Sequence, residues 1–205
     1  ARKPIVVWNI TRTCNLRCIH CYSDSEAMNY PGELTWEQME SVMDDLAAYQ
    51  VPGLLLSGGE PLVHPRFDDL IAYATGKGLR LTISTNGTRI TAERARRFKE
   101  LGVAYVGISL DSIGEIHDHF RGRAGAFDDA VRGFRFCHEA GQKTGLRLTL
   151  TRHNVENLEE ILDFVERENI QRTCFYHLVP AGRGSSLQVL GPDLSRRALD
   201  TLIER

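Results

Sequence analysis

Short apolar runs rich in β-branched residues alternate along this chain with longer stretches in which apolar positions recur every three or four residues. The first pattern is that of a strand and the second that of an amphipathic helix. Strands are predicted over residues 5–10, 53–57, 80–84, 104–110, 146–150 and 173–178, with helices starting near Thr35, Arg66, Thr91, Phe127, Leu158 and Leu194. Thr35 and Gln38 stand at the spacing of a capping box, and Gly78, Gly102 and Gly141 fall where helix C-caps are expected. Strand and helix in strict alternation predict an α/β fold with a parallel sheet and right-handed crossovers. Six such units curl into either an open twisted sheet or an incomplete barrel, and both gather function at the carboxyl ends of the strands.

At those ends the chain turns polar or glycine-rich. The first strand runs into Cys14-Asn15-Leu16-Arg17-Cys18-Ile19-His20-Cys21, the second into Ser57-Gly58-Gly59-Glu60-Pro61 and the third into Ser84-Thr85-Asn86-Gly87. The fourth ends in Ser109-Leu110-Asp111-Ser112, and the sixth hands over to Pro180-Ala181-Gly182-Arg183-Gly184. Polar groups delivered to one face by successive strand ends are the usual material of a binding site in such folds.

Composition narrows the field. With 42% hydrophobic and 25% charged residues over 205 positions, and no linker rich in Pro, Gly or Ser, residues 1–205 read as one globular domain. A net charge of −2 with acidic and basic residues evenly mixed gives no footprint for nucleic acid or an anionic membrane surface. No run approaches the roughly 20 apolar residues of a membrane helix and no signal-peptide core opens the chain, so a cytoplasmic protein is expected. Ala1 at the start and a helical pattern at the end point to the core of a longer protein.

Three of the five cysteines crowd into eight residues, which suits metal ligation better than a disulfide framework. Thiolate is the ligand that iron-sulfur clusters select, and three thiolates on a four-iron cluster leave one iron open for chemistry. The plainer alternative is structural zinc. That site needs four protein ligands, and His20, wedged between Cys18 and Cys21, is awkwardly placed to be the fourth.

Directly after a first strand, this loop resembles the signature of the radical S-adenosylmethionine (SAM) superfamily, whose fold is a partial (β/α)6 TIM-type barrel. The resemblance implies that Cys14, Cys18 and Cys21 hold a [4Fe-4S] cluster whose open iron binds SAM and whose electron releases a 5'-deoxyadenosyl radical. It also implies SAM contacts. His20, through its backbone, and Tyr22 match positions near adenine, as do Leu178 and Val179. Gly58, Gly59 and Glu60 resemble the family's GGEP element for the amino group of SAM, with Glu60 either accepting that charge or capping the loop. Ser84 and Asn86 match positions near the ribose and methionine, and Ser109 and Arg121 match positions that bind the carboxylate. Each has a plainer reading: packing for Tyr22, a turn for Asn86-Gly87, core for Leu178 and Val179, and a surface pair with Asp118 for Arg121. Cys137 and Cys174 read as isolated apolar residues, and no catalytic acid stands out among the histidines, although His177 lies nearest the active face.

Within the superfamily the resemblance is closest to the tetrapyrrole-modifying enzymes of heme d1 biosynthesis (NirJ-type) and of the alternative heme pathway (AhbC-type). It is carried by Val7-Trp8-Asn9-Ile10-Thr11-Arg12, Pro31-Gly32-Glu33-Leu34, Tyr105-Val106-Gly107-Ile108-Ser109-Leu110-Asp111 and, above all, Phe175-Tyr176-His177-Leu178-Val179-Pro180-Ala181-Gly182-Arg183-Gly184. It implies an oxidoreductase or lyase acting on an iron-tetrapyrrole, 12,18-didecarboxysiroheme, whose peripheral carboxylate side chains are modified after hydrogen abstraction. An electron donor such as flavodoxin or ferredoxin is implied too, and Arg183 is expected to pair with a propionate or acetate. The family's second iron-sulfur cluster belongs to a C-terminal extension; no cysteine follows Cys174, so such a cluster would lie beyond residue 205. The rivals are a radical SAM enzyme of peptide maturation, for which no leader-peptide-binding domain is visible, and a non-catalytic iron-sulfur redox protein. The second would have no need of the segments after strands two, three and four.

Overall fold

A computed structural model describes residues 3–187 and 189–205. Its strands are β1 (Val6–Asn9), β2 (Leu54–Ser57), β3 (Leu81–Thr85), β4 (Tyr105–Ser109), β5 (Thr144–Leu150) and β6 (Thr173–His177). The helices are α1 (Trp36–Ala48), α2 (Phe67–Gly76), α3 (Ala92–Glu100), α4 (Gly114–Arg121), α5 (Ala126–Glu139), α6 (Leu158–Arg167) and α7 (Pro192–Glu204). All pairs are parallel and the spatial order is β1-β2-β3-β4-β5-β6. A doubly wound sheet reverses its strand order part-way, whereas a barrel adds each strand beside the last. The sequential order therefore decides between the two shapes in favour of a partial barrel.

Alternation along the strands separates its two faces. Leu54 and Leu56, Leu81 and Ile83, Val106 and Ile108, and Leu146, Leu148 and Leu150 are buried toward the helices. Intervening residues such as Leu55, Ser84, Ser109, Arg147 and Thr149 face a cavity of about 530 Å³ on the concave side. Met39, Met43, Phe67, Phe98 and Phe164 fill the layer between strands and helices, with Phe67 and Phe98 meeting edge to face at 6.3 Å. Burial of such side chains is worth roughly 1.5–3 kcal/mol each.

The caps anticipated from sequence are present. Thr35 and Gln38 close a reciprocal capping box, and Gly78, Gly102 and Gly141 lie just past α2, α3 and α5 with φ of +78°, +73° and +64°. One element is additional: α4, eight residues of mostly polar sequence, ends on Gly122 in the left-handed conformation and buries His117, Phe120 and Arg121. Among the described residues no helix is long and apolar enough to cross a membrane.

Candidate active site

The cysteine loop leaves β1 and is fastened at each step. Glu33 accepts from the Thr11 hydroxyl (2.6 Å) and the Arg12 amide (2.9 Å), the Cys14 amide donates to the Glu26 carbonyl (2.9 Å), and the Thr13 hydroxyl donates to Met28 O (2.8 Å). Further along, the amides of Arg17 and Ile19 donate to the carbonyls of Arg121 and Phe120, which docks the loop on the end of α4. Cys14, Leu16 and Cys18 then pack with Ala126 and Cys21 in a small cluster apart from the main core.

All three thiols line the cavity. Burial pushes the Cys14 thiol up to about 12 and raises that of Cys18, whose sulfur has the Arg121 guanidinium 3.7 Å away pulling in the other direction. Burial also raises Cys21, but hydrogen bonds from the Ser23 hydroxyl and from the backbone of Ser25 and Ser23 outweigh it and leave this thiol below its ordinary value. Among the described residues no three His, Cys, Asp or Glu side chains are gathered closely enough for a single metal ion. His20 is outside any such grouping; its ring packs 4.7 Å from Phe120, and its Nε2 lies 3.7 Å from Asp111. Three soft sulfurs along one cavity wall, with no fourth protein ligand, fit a cluster bound at three corners.

The Gly58-Gly59 pair serves the loop itself. A Cβ on Gly58 would stand 2.4 Å from the Thr11 carbonyl oxygen, and one on Gly59 would stand 2.5 Å from those of both Arg12 and Thr13. This contact distance admits only hydrogen, and it lets the amides of Gly59 and Glu60 donate to Thr11 O (2.8 Å) and Thr13 O (3.0 Å). Of the two roles open to Glu60, the structure gives the cap. Its carboxylate is fully buried and accepts from the Leu62 amide (3.0 Å), the Thr85 hydroxyl (2.6 Å) and the Asn86 amide (2.7 Å). It is absent from the cavity lining, so a direct contact with a bound amino group is corrected to a support of the loops after β2 and β3.

Asn86 continues that support. Its amide donates to Asn15 Oδ1 (3.0 Å) in the cysteine loop, while its own oxygen accepts from Thr88. The turn reading of Asn86-Gly87 holds as well, since Gly87 has φ of +80°.

Arg121 is buried and pairs with Asp111 across the top of β4, so the plainer reading of Arg121, a surface pair with Asp118, does not hold. Asp118 instead accepts from the amides of Gly125 (2.6 Å) and Phe127 (2.8 Å), tying α4 to the start of α5. Burial disfavours the Asp111 charge, yet Arg121, with His20 and His117 nearby, holds its carboxyl below the usual range. The Asp111 amide donates to His117 Nδ1 (3.1 Å), and burial drives that imidazole down to about 3, so it serves as a neutral acceptor. Burial lowers His20 too, and its Nδ1 finds no partner among the described residues.

The segment after β6 closes the rim. Arg183 donates through Nε to the Cys18 carbonyl (2.8 Å) and through Nη2 to Ser25 O (2.9 Å), and its backbone amide donates to Cys21 O (2.9 Å). Nη1 lies 3.7 Å from Glu26 and 4.0 Å from Asp24, within charge attraction but without a hydrogen bond. Arg183 is thus a clasp on the cysteine loop, and it also lines the cavity.

Apart from Glu60, every anticipated site residue lines the same cavity: Cys14, Cys18, His20, Cys21, Tyr22, Gly58, Gly59, Ser84, Asn86, Ser109, Arg121, Leu178 and Val179. Tyr22 and Val179 are exposed at its mouth, Leu178 is buried, and His177 joins the lining at the end of β6. Cys137 is buried in α5 and Cys174 half-buried in β6, neither in the lining. Sequence reasoning passed over Asp111, Asn15 and Arg147. Asp111 and Asn15 carried a usable signal, a polar side chain within a strand-end or loop segment already singled out.

The model described as Radical SAM superfamily matches residues 8–165. The chain belongs to the radical SAM superfamily. It is 49% identical over 206 residues to Fe-coproporphyrin III synthase of Methanosarcina barkeri, covering 100% of this chain and 52% of that protein. It is 45% identical over 208 residues to pre-heme d1 synthase of Dinoroseobacter shibae, covering 99% of this chain and 51% of that one. The chain therefore spans about half the length of these curated relatives. In fold it matches SuiB of Streptococcus suis bound to S-adenosylmethionine, with a TM-score of 0.83 at 17% identity over 100% of this chain and 49% of that one. Membership of this superfamily implies a [4Fe-4S] cluster and SAM.

Proposed function

We propose that this radical SAM chain is the core of a tetrapyrrole-modifying enzyme that acts on the peripheral side chains of 12,18-didecarboxysiroheme in heme d1 or heme biosynthesis. The observation that carries the reading is one cavity lined at once by Cys14, Cys18 and Cys21 and by the ends of β2, β3, β4 and β6. Similarity over nearly the whole of this chain to about half of an Fe-coproporphyrin III synthase and of a pre-heme d1 synthase supports the substrate class.

When bound, the cluster and SAM supply reductive cleavage of SAM and with it a radical able to abstract hydrogen. The chain's part is to hold and to exclude. Cys14, Cys18 and Cys21 would hold three corners of the cluster, while Arg121 places positive charge beside Cys18. Ser84, Ser109, Asn86 and Leu178 would orient SAM across the strand ends, with Tyr22 and Val179 over the mouth. A cavity of about 530 Å³ lies within the usual range for ligand sites, roughly 300–1,000 Å³. A reductant such as flavodoxin or ferredoxin would deliver the electron.

The test uses anaerobically reconstituted protein: iron and sulfide content, then 5'-deoxyadenosine released with dithionite, with and without 12,18-didecarboxysiroheme. Release that rises with the tetrapyrrole is expected, and product mass separates acetate from propionate modification. Release indifferent to tetrapyrrole would return the substrate to the peptide-maturation reading. A cluster-loaded protein that never cleaves SAM would leave only the redox-protein reading.

A further inference from the structure

Three arginines and one carboxylate line the cavity. The carboxylate, Asp111, is taken by Arg121, and Arg183 is spent on the carbonyls of Cys18 and Ser25. Arg147 is different. It is half-buried on the concave face of β5, and among the described residues it forms no ion pair and donates no hydrogen bond to protein.

The fold nevertheless builds a place for it. Its stem lies over Gly107 of β4, where a Cβ would meet the Arg147 Cδ at 2.7 Å, and its guanidinium stacks 4.8 Å from the centre of the Tyr176 ring. Ser109 stands opposite Arg147 in the β4–β5 register, and Thr149 follows two residues on, opposite Tyr176. Ser109 and Thr149 both face the cavity, and neither hydroxyl bonds to protein among the described residues. A guanidinium fork held by stacking and flanked by hydroxyls matches a carboxylate.

We infer that Arg147, with Ser109 and Thr149 beside it, is a carboxylate anchor of the cavity. Two ligands of the proposed reaction bring that group: the methionyl end of SAM and the acetate and propionate arms of the tetrapyrrole. The second source rests on the proposed function; the anchor itself does not.

Binding to the reconstituted protein separates the cases. Arg147→Gln is expected to keep the wild-type iron content and melting temperature and to weaken 12,18-didecarboxysiroheme by about tenfold to hundredfold, the loss of a charge-assisted hydrogen-bond pair. It should also lose the wild-type preference for the free acid over its methyl ester, and Arg147→Lys should recover part of the affinity. Weakening of SAM with the tetrapyrrole unaffected assigns the same anchor to the methionyl carboxylate. Both affinities kept within about twofold of wild type would overturn the inference. Should the wild-type protein bind no tetrapyrrole, the proposed function fails; the anchor then stands if Arg147→Gln weakens SAM and falls if it does not.

Discussion

Replacing Glu60 by Gln separates a residue that supports loops from one that touches a ligand. The buried carboxylate accepts from Leu62, Thr85 and Asn86. A Gln side chain can turn its oxygen to only part of this set, leaving its amide facing a donor, most damagingly the Asn86 N–H. An unsatisfied buried donor costs about 1–3 kcal/mol, and loss of charge assistance on the remaining bonds adds about 1 kcal/mol. Relief from burying a charge offsets some of this, so a net loss of about 2–3 kcal/mol is expected. At roughly 2–4 °C per kcal/mol for a chain of this size, the melting temperature should fall by about 4–12 °C. Thermal and urea denaturation of cluster-free protein would read the loss, and calorimetric SAM titration of reconstituted protein below the melting point would read ligand affinity. A melting temperature within about 1 °C of wild type, together with a weakened SAM affinity, would refute the loop-cap assignment.

Other substitutions probe the loops and the shell. Gly59→Ala places a methyl group against two carbonyl oxygens and should cost about 3 kcal/mol or more, seen as a lower urea midpoint and lower iron content after reconstitution. Arg183→Ala removes two charge-assisted bonds to the cysteine loop; about 3 kcal/mol of stability and faster iron release to a chelator are expected, with Arg183→Lys intermediate. Glu168, held below its ordinary value of 4.5 by hydrogen bonds from Arg135, contributes stability above the unfolded-state value that is lost as pH falls through the lower folded value. Because Arg135 faces solvent, Glu168→Gln should cost only about 0.5–1 kcal/mol at neutral pH, and the difference from wild type should shrink in urea titrations as pH falls through the lowered folded value.

The sheet could be read from the chain because its inner strands, β2 to β5, bury apolar residues on the helix side, as in the alternation of Leu81-Thr82-Ile83. Helix α4 could not be: Gly114-Glu115-Ile116-His117-Asp118-His119-Phe120-Arg121 spans only about two turns with two large apolar residues, of which Ile116 is exposed, and its burial comes from Phe120 and a buried Arg121 meeting partners elsewhere in the fold. The cysteines announce themselves by spacing, whereas the partners of Glu60 and Arg183 are, apart from the Thr85 hydroxyl, backbone groups, whose identity no side-chain pattern encodes. Arg147 was invisible for another reason. Within Gly145-Leu146-Arg147-Leu148-Thr149 it reads as an ordinary polar position on a half-exposed strand, and only the neutralisation of its neighbours sets it apart.

The clasp of Arg183 also bears on the order of assembly. The bond from Arg183 to Cys18 spans 165 residues, so it forms only after all six strands have been placed. During synthesis the thiols emerge well before β6, and this restraint arrives only after it. Loop closure over such a separation is slow relative to local structure. The nascent chain therefore carries its three cysteines in a loop not yet fastened at its far side, and only when the segment after β6 is in place is the rim that would receive iron and sulfide closed by Arg183.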